Sequence, residues 1–194
     1  MPRVAKIALA QDPDADALLA RDPLALLVGM VLDQQVPLEK AFSSPYVLTQ
    51  RLGRDLDARD IADRDPEELA TLFSTPPALH RFPGSMAGRV QEMCRVVADR
   101  YGNDARAVWD TKDAKELLKR IKELPGFGEQ KAKIFVALLG KQLGVRPRGW
   151  RDVSAPYGDD KTRMSVADIT DLASLLEVRA YKAEMKRAAK AAKA

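Results

Sequence analysis

Hydrophobic positions recur every three or four residues along almost the whole chain, and the strict alternation typical of strands is scarce. Residues 13–21 have the pattern of a short helix, and Pro23 begins a second, strongly apolar helix that runs to Gln34. Proline is tolerated at such a start because the first helical turn does not use its missing N–H. Abundant Ala, Leu, Lys, Arg and Glu also favour helix. The pattern predicts an all-α fold.

Turn-forming residues divide the rest of the chain into further helices. We predict a helix from Phe42 to Leu52, ended by Gly53, since glycine suits the left-handed residue after a helix. Asp65 is expected to cap a helix that starts at Pro66, and a longer helix is predicted over Ser85–Tyr101.

The C-terminal part begins with an irregular region after Gly144. The segment from Ser165 to Asp168 resembles a capping box with Asp in place of Glu, so the last helix is predicted to begin near residue 166. The tail of about residues 182–194 is rich in Lys, Arg and Ala. It is interpreted either as a solvated charged terminus or as a helix end that touches phosphates.

A glycine-rich hairpin joins two of the predicted helices and has the sequence Leu124-Pro125-Gly126-Phe127-Gly128-Glu129-Gln130-Lys131-Ala132. Asp110 or Thr111 is expected to cap the first helix, and the unit spans about residues 112–143. The two glycines can adopt positive φ and let bare N–H groups approach a ligand. The following helix N-terminus adds unpaired donors and a partial positive charge, an arrangement that binds phosphate. A structural corner built from Pro and Gly is the alternative interpretation.

Length and composition restrict the class of protein. A chain of 194 residues suits a single unit, residues 1–194, or two small lobes that share a cleft, and the net charge of +4 permits nucleic-acid binding. Its one cysteine, Cys94, excludes an intrachain disulfide and a four-cysteine iron–sulfur cluster within this chain. Without a membrane-spanning apolar run or a signal-peptide pattern, we expect a cytoplasmic protein with no membrane partner, associated with the nucleoid if prokaryotic.

The hairpin resembles the helix-hairpin-helix motif of DNA-binding proteins, whose order of hydrophobic-Pro-Gly-hydrophobic-Gly before Lys-Ala it shares. Two more segments are similar to the helix-hairpin-helix base-excision glycosylase (HhH-GPD) superfamily: Leu26–Val36, which contains the pair Gln34-Gln35, and Arg81–Ser85 with the helix after it. Order and spacing agree over residues 20–160. The resemblance implies a two-lobed all-α fold with a basic cleft that binds double-stranded DNA as a monomer.

The resemblance also implies a set of DNA-binding residues: Leu124, Gly126, Gly128, Gln130, Lys131, Gln34 and Gln35. The glutamine amides could meet DNA at the cleft edge, or they could equally satisfy backbone carbonyls at the end of their helix. We expect no metal site built from side chains, since His80 is the only histidine. A monovalent cation could be held by the carbonyls of residues 124–128, which requires no side-chain ligand.

Glycosylases extrude a nucleotide and break the bond between base and sugar, and the positive charge that develops on the sugar calls for a carboxylate. The resemblance assigns this role to Asp152, which is followed by Val153 as in the family's Asp-Thr/Val pair. The spacing from Gln130 is longer than expected, and Ser154 stands where the family often has His, so Asp159 or Asp160 are alternatives. Trp150 beside Asp152 is a candidate wall of the base pocket.

Family members that also cut the strand use a lysine at the hairpin position that Gln130 occupies here. Lys131 is turned about a quarter turn farther around the helix and is expected to point elsewhere. The resemblance therefore implies a monofunctional glycosylase, closest in type to the enzymes that remove alkylated purines. A non-catalytic DNA-binding member of the same fold and a helical interaction protein with a purely structural hairpin are the alternative functions.

Overall fold

The structure is a computed structural model that describes residues 6–194. This part of the chain forms α-helices and two short 3-10 turns, at Ala105–Trp109 and Val166–Asp168, and contains no β-strand. The helices are α1 (Pro13–Arg21), α2 (Pro23–Leu32), α3 (Leu38–Leu52), α4 (Ala58–Asp63), α5 (Pro66–Ser74), α6 (Pro83–Arg100), α7 (Ala114–Lys122), α8 (Glu129–Gln142), α9 (Trp150–Val153) and α10 (Leu172–Ala192). The predicted all-α fold is confirmed.

Aspartate side chains accept hydrogen bonds at the start of several helices. The Asp22 carboxylate accepts the backbone N–H of Leu24 at 2.9 Å and so fixes the start of α2. Asp65 caps α5 directly before Pro66, as predicted. Each such bond satisfies a backbone donor that has no partner within the helix.

Two helix starts predicted from the sequence are wrong. Asp113 caps α7, whereas Asp110 ends the preceding 3-10 turn. The capping box at Ser165 does form, but it closes only the turn Val166–Asp168, and α10 begins at Leu172 after a second capping box made by Asp171. The chain cannot continue as a helix from residue 166 because Ile169, which follows the turn, is extended.

The helices form two groups around two buried helices. In the first group, α1, α3 and α6 pack on α2, in which every residue from Leu24 to Leu32 is buried, while α4 and α5 pack on α6. In the second group, α7, α9 and the turn at residues 166–168 pack on α8, and α10 packs on that turn. One hydrophobic core runs through both groups. Residues 1–5 of the expected single unit lie outside the described part of the chain.

The two groups meet where the hairpin reaches the C-terminal end of α2. Gly126 has a φ of +92°, and a Cβ at this position would lie 3.3 Å from both methyl carbons of Val31. Glycine is needed here for its backbone angle and for the close approach of the two segments. Among the described helices, none is long and apolar enough to cross a membrane.

Candidate functional site

The hairpin presents an uncapped helix N-terminus. The Phe127 N–H donates to the Leu124 carbonyl at 3.1 Å, which closes the turn, and Gly128 precedes α8 without any side-chain cap. The first intrahelical bond of α8 runs from the Ala132 N–H to the Gly128 carbonyl at 2.9 Å. Donors of the first turn therefore face outward beside two glycines, the geometry in which a helix N-terminus binds an anion.

Lys131 lies in the first turn of α8, but its ammonium group is directed to the end of α2. It donates to the carbonyl oxygens of Met30 at 2.7 Å and Asp33 at 3.2 Å. A cation at this position is favourable because the carbonyls at a helix C-terminus lack partners and carry partial negative charge. Burial lowers the pKa of Lys131, and the charge of Asp33 opposes that shift. This contact ties the two helix groups together.

The glutamine pair divides its two amides between different environments. The side-chain Nε2 of Gln34 donates to the backbone carbonyl of Val31 at 3.1 Å. The backbone carbonyl of Gln34 accepts from His80 Nε2 at 2.8 Å. His80 Nδ1 accepts the Phe82 N–H at 2.9 Å, which leaves Nε2 as the nitrogen that donates to Gln34. Gln34 thus has the structural role that was one of its two interpretations. Gln35 is exposed and has a φ of +56°.

A cavity of about 450 Å³ opens beside the hairpin, between the end of α2, the first two turns of α8, residues 157–166 and α10. Its polar walls come from Asp33, Gln130, Lys131, Tyr157, Tyr181 and Lys182. The Gln130 Nε2 donates to the Tyr157 hydroxyl at 3.1 Å across the opening. The volume is in the range of small-molecule sites, and the mixture of aromatic, apolar and few polar groups is typical of them.

Both Gln130 and Lys131 line this cavity, so the expectation that Lys131 points elsewhere is wrong. The side chain of Lys131 extends to the carbonyl oxygens at the end of α2 and lines the cavity there. The Cα atoms of Gln130 and Lys131 are a quarter turn apart on α8, but both side chains extend to the same cavity.

Among the described residues, Asp33 is the one carboxylate that lines this cavity. It follows the last residue of α2 and also lines a second cavity, of about 560 Å³, between the start of α3 and α10. Burial raises the pKa of Asp33, and the charges of Lys182 and Lys131 oppose that effect. No hydrogen bond from the described residues contributes to the shift.

Asp152 and Trp150 lie near the other end of α8. Trp150 is buried, and its indole packs on Gly140 so closely that a methyl group there would overlap it. Gly140 is ten residues from Gln130, or about 15 Å along the helix. The backbone of Arg148, just before α9, forms an isolated parallel β-bridge with Asp113 at the start of α7. The start of α7 is the end of that helix away from the hairpin.

The cavity therefore does not include either of these two predicted site residues. Trp150 is a core residue, so its expected place in the wall of the base pocket is corrected. Asp152 is exposed to solvent on α9. The alternatives Asp159 and Asp160 are exposed as well, and Asp160 pairs with Arg151 at 2.8 Å.

Asp33 and Tyr181 were missed from the sequence. Asp33 directly precedes the glutamine pair and follows the last residue of an apolar helix. A carboxylate at this position is repelled by the partial negative charge of the helix C-terminus. That conflict between charge and location is the signal that could have identified it. Tyr181 carries no comparable signal, because its place depends on how α10 packs.

A family model described as HhH-GPD superfamily base excision DNA repair protein matches residues 28–193, more than four-fifths of the chain. The matched region contains Asp33, the hairpin and all the residues that line the first cavity. A search of curated proteins and a search of solved structures gave no significant match. Within residues 6–194, no group of three or more His, Cys, Asp and Glu side chains could hold a metal ion.

Proposed function

The chain belongs to the HhH-GPD superfamily of base excision DNA repair proteins, and from that premise we propose that it is a monofunctional DNA glycosylase. In this proposal it binds double-stranded DNA as a monomer and hydrolyses the N-glycosidic bond of a damaged, alkylated base. The observation that carries the proposal is the cavity beside the uncapped N-terminus of α8, with a carboxylate in its wall.

The proposed binding mode begins with a DNA phosphate on the backbone N–H groups of residues 128–131, reached over Gly126 and Gly128. Because Gln130 belongs to this turn and lines the cavity, a nucleotide extruded next to that phosphate would place its base in the cavity. Leu124 shapes the hairpin from its buried position, and the exposed Gln35 is available to the DNA at the cleft edge. Tyr157 and Tyr181 would then stack on the base.

A single hydrolytic step is favoured by the groups at the cavity mouth. Gln130 has no amine, and the amine of Lys131 is engaged by the carbonyl oxygens of Met30 and Asp33, although burial lowers its pKa. An amine must be deprotonated before it can attack the sugar. An alkylated base carries positive charge and leaves readily, so it suits a site in which one carboxylate supplies the electrostatic stabilisation.

A monovalent cation at the hairpin belongs to the same proposal. The Leu124 carbonyl accepts the Phe127 N–H and keeps a second lone pair, so the carbonyls of residues 124–128 fit a hard cation that prefers oxygen ligands. A cation there would neutralise part of the charge of the bound phosphate. We place the protein with the cellular DNA, in the cytoplasm or nucleoid.

The test is single-turnover release of base from duplex oligonucleotides that carry alkylated, deaminated or oxidised bases. We expect release from an alkylated base, strand breaks only after hot alkali, and no covalent adduct on borohydride reduction. A borohydride-trapped adduct that disappears in Lys131→Gln would contradict the monofunctional assignment. Loss of release in Asp152→Asn would support the carboxylate that the family resemblance assigns.

A non-catalytic DNA-binding protein of the same fold is the second candidate. The observation that favours it is the exposed position of Asp152, which is not among the residues that line the cavity. Salt-dependent duplex binding without release from any lesion in the panel would support this candidate. An absence of salt-dependent binding would exclude both, since phosphate contacts release counterions.

A further inference from the structure

We propose that Asp33, at the C-terminal end of α2, is the carboxylate that stabilises the positive charge of the reacting sugar and activates water in this protein. The inference rests on the proposed glycosylase function and names the residue that performs its chemistry. It moves the carboxylate from the loop after α8, where the family resemblance assigns it, to the end of α2, in the wall of the cavity.

The position of Asp33 relative to the hairpin supports the assignment. Lys131, in the first turn of α8, donates to the backbone carbonyl of Asp33 at 3.2 Å, so the turn that would hold the phosphate is joined to Asp33. A phosphate on that turn places the attached sugar within the same cavity that Asp33 lines. Asp152 is exposed on α9 and is not among the residues that line this cavity.

The surroundings of Asp33 resemble those of a reactive group more than those of a structural one. It stands at a helix C-terminus, where negative charge is unfavourable, and the described residues donate no hydrogen bond that shifts its pKa. Burying a carboxylate without a partner costs free energy, and an asparagine would fit the same space without that cost. Groups kept in such environments are candidates for function.

The charges of Lys131 and Lys182 favour the ionised form of the Asp33 carboxylate and partly offset the effect of burial, which raises its pKa. Both cations oppose the effect of burial on Asp33, and neither forms an ion pair with it within bonding distance in the described residues. Lys182 comes from α10 and lines both cavities beside Asp33. The result is a negative group that faces open space and can accept a developing positive charge.

The reaction that follows is a hydrolysis. The bond between the sugar C1′ and the base nitrogen breaks, and its electron pair leaves with the base. The Asp33 carboxylate stabilises the cation formed at C1′ and accepts a proton from the water whose oxygen bonds to C1′. The proton then passes to the departed base or to solvent, which returns Asp33 to its starting state.

The test compares the binding of two duplexes that differ only in the charge at one sugar. One carries a cationic pyrrolidine in place of the sugar, and the other carries a neutral tetrahydrofuran. We expect the wild type to prefer the cationic duplex roughly tenfold, as a charge-assisted contact does, and Asp33→Asn to lose that preference. Asp14→Asn, an exposed carboxylate on α1, is the matched control and keeps it.

Base release provides the second measurement wherever a lesion is processed. Asp33→Asn is expected to slow single-turnover release about a hundredfold, while binding of the neutral duplex is unchanged. Thermal unfolding of Asp33→Asn and of a second variant, Asp33→Ser, verifies that the loss is not unfolding.

Several outcomes would overturn the assignment. These are a wild type without any preference for the cationic duplex, an Asp33→Asn variant that keeps the preference or the release rate, and loss of both only in Asp152→Asn. If no lesion is processed but the preference depends on Asp33, the glycosylase proposal fails and the electrostatic role of Asp33 stands.

Discussion

Two carboxylates, the buried Asp168 and the half-buried Asp33, have completely different surroundings. Asp168 accepts hydrogen bonds from Lys141 at 2.5 Å and from the backbone N–H groups of Met164 and Ser165 at 2.7 and 3.2 Å. Asp33 faces a cavity and is influenced only by the distant charges of two lysines. A buried carboxylate whose hydrogen-bond and ion-pair partners are all present has a structural role, and removing one partner destabilises the fold. A carboxylate that lacks such partners is a candidate for binding or catalysis.

Breaking the Asp168 network should have the largest effect. Lys141→Met leaves an almost fully buried carboxylate without its cation, which typically costs about 3–5 kcal/mol of unfolding free energy. Urea unfolding followed by circular dichroism measures the change. Glu177→Gln, which breaks the exposed pair with Arg163 at 3.1 Å, is the control and is expected to change stability by less than about 0.5 kcal/mol. Equal effects of the two variants would contradict the distinction between buried and exposed pairs.

The hairpin glycine comes next in size. Gly126→Ala introduces a Cβ at a φ of +92° and at 3.3 Å from Val31, which should cost about 1–3 kcal/mol and displace the α8 N-terminus from bound phosphate. Thermal unfolding and duplex binding are both expected to weaken. Gly88→Ala is the matched change, because Gly88 lies inside α6 with open space around it and alanine favours a helix. If Gly88→Ala weakened DNA binding as much, the effect would not be specific to the hairpin.

Asp33→Asn should change stability in the opposite direction from Lys141→Met. Because the pKa of Asp33 is raised in the folded state, ionisation destabilises the fold, and the penalty is absent below the unfolded pKa. It accumulates as the pH rises toward the folded pKa. The variant should therefore match the wild type in acid and exceed it by about 1 kcal/mol at neutral pH.

The measurement for Asp33 is thermal unfolding as a function of pH, with Asp14→Asn as control. Other charged or titratable groups that line the two cavities beside Asp33 are Lys131 on α8, Tyr157, Glu39 on α3, and Arg179, Tyr181 and Lys182 on α10. If the difference in stability between Asp33→Asn and the wild type does not grow with pH, ionisation of Asp33 does not destabilise the fold.

The fold was predictable from the sequence to a large extent, and the site only in part. Helix starts such as Asp65-Pro66 depend on local bonds, so they were predicted correctly. Gly126 was identified because its positive φ is a local requirement, whereas Gly128 has a φ of −77°, which any residue can adopt. Asp152 was assigned by its resemblance to the family's Asp-Thr/Val pair, but α9 folds back onto Gly140, and that packing has no local signal. The cavity around Asp33 arises from α2, α8 and α10 together, which no single segment encodes.

The smallest effect concerns the exposed turns of α10 beyond the cavity. Lys182 and Met185 line the cavity, Lys186 and Arg187 follow them on α10, and all the residues from 182 onward are exposed. Replacing Lys186 and Arg187 with Gln should leave the unfolding midpoint unchanged, because neither residue packs against the core. The slope of log affinity against log salt should become shallower by about one for each lost phosphate contact. Fluorescence anisotropy of a labelled duplex between low and moderate salt measures the slope, with Arg106→Gln, an exposed cation on the turn at Ala105–Trp109, as control. Equal slopes in the wild type and the double variant would show that the tail is a solvated charged terminus, and that the cations that matter for binding are those at the cavity.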